Sequence, residues 1–138
     1  MGERHVVAKV AELPPGSRRL VIIRGREVVV FNVDGEYFAL LDRCPHQGGR
    51  LSRGKLTGLV EASAPGEVRY SRRGEIVRCP WHGWEYDLRT GRSWCDSARL
   101  RVRTYPAATM PGRALVDGPY TAETFEVTVE DDYVVVEV

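Results

Sequence analysis

The sequence predicts an all-β chain, and three observations carry that reading. Runs of β-branched and apolar residues alternate with polar ones, turn dipeptides separate these runs, and no stretch keeps a helical period. Val6, Val7 and Val10 open the first short run. Leu20-Val21-Ile22-Ile23 and Val28-Val29-Val30-Phe31-Asn32-Val33 are joined by Arg24-Gly25-Arg26, a short turn centred on glycine. Asp34-Gly35 is a two-residue hairpin signal that leads into Tyr37-Phe38-Ala39-Leu40-Leu41, so the three runs predict a meander.

The apolar pattern stops over residues 42–54, where Pro45, Gly48, Gly49 and Gly54 mark a loop. Residues 56–60 read as a short strand and residues 61–74 as an exposed hairpin or loop. Residues 75–78 read as another short strand, and a second loop begins at Cys79-Pro80. Trp84-Glu85-Tyr86-Asp87-Leu88 alternates up to a turn at Arg89-Thr90-Gly91, and residues 100–105 alternate again up to Pro106. Residues 107–119, with Pro111-Gly112 and Gly118-Pro119, read as a loop. Phe125, Val127 and Val129 alternate as one arm of a closing strand pair, and residues 133–138 are its dense apolar partner.

A chain of 138 residues fits one compact domain, here residues 1–138, with a core large enough to stand without staples. Its composition, 43% hydrophobic and 28% charged, is that of an ordinary globular domain. The formal net charge is +1, so no overall basic field attracts nucleic acid or an anionic membrane. Lys and Arg read as scattered, and the doublets Arg18-Arg19 and Arg72-Arg73 as solvated loop residues. No run approaches the roughly 18 apolar residues of a membrane span, and no signal-peptide segment precedes the first strand. The expected location is the cytoplasm, with no membrane partner. Three cysteines in a reducing compartment argue against a disulfide framework and for metal or redox use.

Two clusters carry chemistry: Cys44-Pro45-His46-Gln47-Gly48-Gly49 and Cys79-Pro80-Trp81-His82-Gly83-Trp84. Each pairs a thiolate with an imidazole in a loop rich in Gly and Pro. Thiolate suits iron–sulfur clusters and zinc, and two such loops supply four ligands: Cys44, His46, Cys79 and His82. A structural zinc site and a [2Fe-2S] cluster both remain open on these residue types alone. In a Rieske centre two Cys bind one iron and two His bind the other, which matches one Cys and one His from each loop.

The paired Cys-x-His and Cys-x-x-His motifs, with Gly48 and Gly83 after them, resemble those of Rieske [2Fe-2S] proteins. The run from Trp81 to Asp87 is especially similar to the second motif of oxygenase-type Rieske ferredoxins. The resemblance spans about residues 20–105. It implies stacked antiparallel β-sheets with a two-loop cluster-binding subdomain, about residues 42–95, and one Rieske-type [2Fe-2S] cluster per chain. The segment between His46 and Cys79 is longer than is usual in the family, and the extra length is assigned to residues 61–74, with a second extra segment at 107–122. In high-potential relatives a disulfide ties the two loops; the matching positions here are Gly49 and Trp81. A serine that bonds a bridging sulfide is matched by Trp84, whereas Tyr86 matches a tyrosine that bonds a ligand sulfur. These matches imply a low potential, roughly −150 mV. The supporting shell is then Gln47, Gly48, Trp81, Gly83, Trp84 and Tyr86, with Trp81 and Trp84 serving either as water shields or as core packing. Both histidines are expected near the tip, partly exposed.

The other candidates read more plainly. Cys95 reads as a small buried hydrophobe. His5 reads as a surface residue, Asp42 and Arg43 as loop charges, and Glu85 and Asp87 as facing water. With His46 and His82 assigned, His5 alone is left, too few for an iron held by two His and a carboxylate. No Gly-x-Gly-x-x-Gly dinucleotide fingerprint follows a strand. The chain is therefore expected to be an electron carrier with no catalytic site of its own, passing electrons from a flavin-dependent reductase to an oxygenase. The alternatives are an electron-transfer subunit of another oxidoreductase, or a zinc-stabilised or regulatory module.

Overall fold

The computed structural model describes residues 3–45, 48–64, 66–80, 83–93, 100–116 and 127–138. Its strands are β1 (Arg4–Lys9), β2 (Arg18–Ile23), β3 (Arg26–Val33), β4 (Glu36–Leu41), β5 (Lys55–Ala64), β6 (Glu67–Arg78), β7 (Glu85–Asp87), β8 (Thr104–Tyr105), β9 (Ala107–Pro111) and β10 (Asp132–Glu137). Three sheets result, ordered β1-β10-β9, β2-β3-β4-β8 and β5-β6-β7. The fold is all-β and antiparallel, as predicted; α1 (Gly112–Val116) is the only α-helix among the described residues. No helix among them is long and apolar enough to cross a membrane.

The chain divides into two compact units, one of Met1–Leu41 with Tyr105–Val138 and one of Asp42–Thr104. In the first, the predicted meander forms as β2, β3 and β4. Ile23 pairs with Arg26 and Val33 with Glu36, so each connection is a two-residue turn. Arg24-Gly25 and Asp34-Gly35 all have positive φ, the twist that suits tight hairpins. The first two sheets stack face to face through one apolar cluster: Val7, Ala8, Val134 and Val136 from one, and Ile23, Val28, Val30 and Ala39 from the other. Along β10 the period of two sends Val134 and Val136 into this cluster. Tyr133 and Val135 point the other way, to Val6 and Leu115.

Several expectations fail here for tertiary reasons. His5 is buried, not superficial, because β1 lies between packed layers, with Val7 and Ala8 in one apolar cluster and Val6 in another. Residues 107–116, read as loop, form β9 and α1. β9 is an edge strand, where its proline is tolerated, and β10 supplies the ladder that its composition does not announce. Val127 and Val129 are not in a strand. The Thr128 hydroxyl donates to Asp131 Oδ2 at 2.9 Å and the Tyr133 hydroxyl accepts from the Thr128 N–H at 2.9 Å, which closes a turn instead. The partners of β10 are β1 and β9. Phe125 lies outside the described residues.

In the second unit, residues 61–74 belong to a long hairpin. β5 and β6 pair from Lys55↔Arg78 to Ala64↔Glu67, with register shifts between Thr57 and Leu59 and between Glu61 and Ala64. The short strands predicted at 56–60 and 75–78 are the base of this hairpin. Residues 100–105, predicted to alternate as a strand, keep only Thr104–Tyr105 and a single bridge between Arg92 and Arg101.

Candidate metal centre

Both predicted loops belong to the unit Asp42–Thr104. The first begins after β4 and the second links β6 to β7. They share one backbone frame. The Cys44 N–H donates to the Gly49 carbonyl at 2.7 Å, and the Gly48 N–H donates back to the Cys44 carbonyl at 2.7 Å. The Cys79 N–H donates to the Trp84 carbonyl at 2.7 Å, and the Gly83 N–H donates back to Cys79 at 3.0 Å. The residue four places after each cysteine turns the chain at positive φ, +79° at Gly48 and +72° at Gly83, where a side chain is strained. Cys-Pro-x-x-Gly is thus one turn used twice.

Each turn holds its cysteine inward. Cys44 and Cys79 are 1% and 2% exposed, and neither is in a disulfide. Two buried free thiols on matching turns are the soft donors that a metal cluster needs. Tyr86, fully buried on β7, places its hydroxyl 3.1 Å from Cys44 Sγ. With Cys44 as a thiolate, the phenol O–H donates and the sulfur accepts. Trp84 is half-buried, and its carbonyl closes the second turn. His46, Gln47, Trp81, His82 and Cys95 lie outside the described residues.

The base of the first loop is braced by Asp42, expected from the sequence to be a loop charge. The Asp42 side chain is buried, and its carboxylate accepts from the Ser52 N–H at 2.6 Å and the Ser52 hydroxyl at 2.7 Å. Arg50 adds a charge contact at 3.5 Å. Asp42 thereby ties the entry of the loop to a 3-10 turn at Leu51–Arg53. Gly54 ends that turn because a Cβ there would run into the Arg78 carbonyl and stand 2.9 Å from Val77 Cγ2. No periodicity links Asp42 to Ser52, so only the closed loop reveals the pair. Asp87 also departs from expectation: it is buried, and its carboxylate accepts from the Arg89 N–H at 2.8 Å, closing the turn after β7. A sequence signal does exist for Arg43 and Arg78. Arg-Cys-Pro-x-x-Gly occurs at both loops, 43–48 and 78–83.

Residues 3–106 match the Rieske [2Fe-2S] domain. The ferredoxin component of the naphthalene 1,2-dioxygenase system of Pseudomonas aeruginosa is 28% identical over 106 residues, 77% of this chain and 86% of that protein. The 3-phenylpropionate/cinnamic acid dioxygenase ferredoxin subunit of Photorhabdus laumondii is 32% identical over 110 residues, 80% of this chain and 90% of that protein. The solved structure of the Sphingomonas yanoikuyae B1 ferredoxin is similar with a TM-score of 0.55 at 27% identity, over 75% of this chain and 86% of that one. The buried thiols suit the cofactor that this domain implies, and on the extent of the match the chain belongs to the Rieske [2Fe-2S] family.

Proposed function

We propose that this chain is a one-electron carrier that binds its [2Fe-2S] cluster through Cys44, His46, Cys79 and His82 and delivers electrons to an oxygenase. The observation that carries the reading is the pair of matching turns, each with a buried free cysteine. When bound, the cluster supplies reversible uptake of one electron. The chain's own residues do the rest. The two turns hold the cysteine sulfurs buried, and the Tyr86 hydroxyl, 3.1 Å from Cys44 Sγ, is placed to donate to that sulfur when it serves as a cluster ligand. Trp84, half-buried, limits the access of water. His46 and His82 complete the ligand set. The family relatives above, ferredoxin components of dioxygenase systems, support an oxygenase as acceptor.

A flavin-dependent reductase is the proposed donor, since a one-electron carrier needs a partner that splits a hydride pair. With Gly49 and Trp81 where a loop disulfide would stand, and Trp84 in place of a serine donor, the proposed potential is roughly −150 mV. A potential above about +100 mV would exclude this low-potential reading. Within these residues there is no second iron site to propose, because His5 is the only histidine left.

The test is an EPR spectrum of anaerobically purified protein after dithionite reduction, with iron and zinc assayed on the same sample. A rhombic signal with average g near about 1.9 and about two irons per chain is expected. One zinc per chain without a signal would make the site structural and end the carrier reading.

A further inference from the structure

The net charge of +1 conceals an uneven distribution. The unit Asp42–Thr104 carries thirteen Arg and Lys against seven Asp and Glu, a net of +6. The rest of the chain carries seven against twelve, a net of −5. The basic residues that read as scattered along the sequence are therefore gathered in the unit that holds the two loops.

Two of them stand on the loops themselves. Arg43 and Arg78 each immediately precede a loop cysteine, and both are exposed. The Arg43 guanidinium lies over Gly48, where a Cβ would stand 3.6 Å from its Nε. The Arg78 guanidinium lies over Gly83, where a Cβ would stand 3.0 Å from both Nε and Nη2. No hydrogen bond or ion pair ties either guanidinium to another described residue, although Glu85 is the cross-strand neighbour of Arg78. Their neighbours behave differently: Arg50 pairs with Asp42 and Arg89 with Glu75. Two exposed cations placed alike on two loops, with no ion pair to a described residue, add little to folding. They do raise the local potential where a partner must approach, and so steer encounter.

We propose that Arg43 and Arg78 are docking cations, and that the loop face of this unit selects protein redox partners whose own docking face is rich in carboxylates. The proposal rests on the carrier reading, and a redox-inert probe distinguishes the failure of one from the failure of the other.

The loaded, reduced protein is mixed with hexacyanoferrate(III), which takes one electron and becomes hexacyanoferrate(II) while the protein is oxidised by one electron. Tris(phenanthroline)cobalt(III), a cation, is the counter-probe. The rate with the anion is expected to fall about tenfold from about 0.01 to 0.15 M ionic strength, and the rate with the cation to rise. In Arg43→Glu/Arg78→Glu both trends should reverse. Arg26→Glu/Arg113→Glu, with the same change in net charge in the other unit, should stay within about twofold of the wild type. If the double glutamate variant loads no iron, Arg43→Gln/Arg78→Gln replaces it and should flatten both trends.

Equal responses of the two charge-matched variants would overturn the proposal, as would a wild-type rate with the anion that is insensitive to salt. A calorimetric titration with redox-inert hexacyanocobaltate(III) separates the two readings. Binding that is lost in the Arg43/Arg78 variant and kept in the control supports the docking face even in a protein that carries no electrons. Absence of binding sinks the docking face in a protein that does carry them.

Discussion

At Tyr86 a single hydroxyl links the β-sheet of the second unit to a proposed ligand, since its oxygen lies 3.1 Å from Cys44 Sγ. A hydrogen bond to a ligand sulfur favours the reduced, more negative cluster and raises the potential. Tyr86→Phe removes that bond and keeps the ring. Its reduction potential should fall by tens of millivolts, given that about 1.4 kcal/mol corresponds to about 59 mV for one electron. A protein-film titration measures this, and an unchanged potential would remove Tyr86 from the tuning shell. Cys44→Ser and Cys79→Ser should each lose the bound iron while keeping the β-rich circular dichroism, because each replaces a proposed ligand on a turn whose backbone hydrogen bonds do not involve the side chain. The two cysteines were legible in the sequence because Cys-Pro-x-x-Gly is a local pattern. The burial of His5 and Asp87 was not, because each depends on a strand or turn assembled from distant or reoriented backbone.

Among the elements, the 3-10 turn Leu51–Arg53 matters most to the site, for it braces the first loop through Asp42. Asp42→Ala removes the buried carboxylate that accepts from both the Ser52 N–H and the Ser52 hydroxyl. It should lower stability by about 2–3 kcal/mol in urea denaturation, with part of the iron lost, whereas Asp42→Asn should recover about half of the deficit. The long hairpin of β5 and β6 makes a contrasting case. Its tip, at Ala64↔Glu67, is far along the strand from Cys79. Joining the strands nearer their base should leave iron content unchanged and move stability by less than about 1 kcal/mol, since loop closure depends only weakly on length. A large loss of iron would show that the hairpin supports the loops directly. Residues 61–74 could be read as a hairpin or a loop, and neither the choice nor the extent of pairing was legible. Charged, glycine-containing segments become strands only when a facing strand completes their hydrogen bonds.

For the molecule as a whole, the proposed cluster site would join two loops that start from different strands. Removing iron with a chelator under reducing conditions should therefore lower Tm, since a ligand bound only by the native state stabilises it. The effect should be confined to the Asp42–Thr104 unit, with amide exchange accelerating there before it does in β3 and β10. The uneven charge, +6 in that unit and −5 elsewhere, is invisible in the total of +1.

Local order was decided by the sequence alone: the all-β class, the meander with its two glycine-containing turns, and the two loops that carry Cys44 and Cys79. These depend on side-chain period and on the backbone freedom of Gly25, Gly35, Gly48 and Gly83, which are properties of neighbours in the chain. Only the tertiary structure decided that β10 pairs with β1 and β9, that Asp42 reaches Ser52, and that thirteen cations belong to one unit. Each of these joins residues far apart in sequence or outside any repeating pattern. The free energy that selects them comes from closing the fold, through buried surface, completed ladders and satisfied charges, and no local window of the sequence contains it.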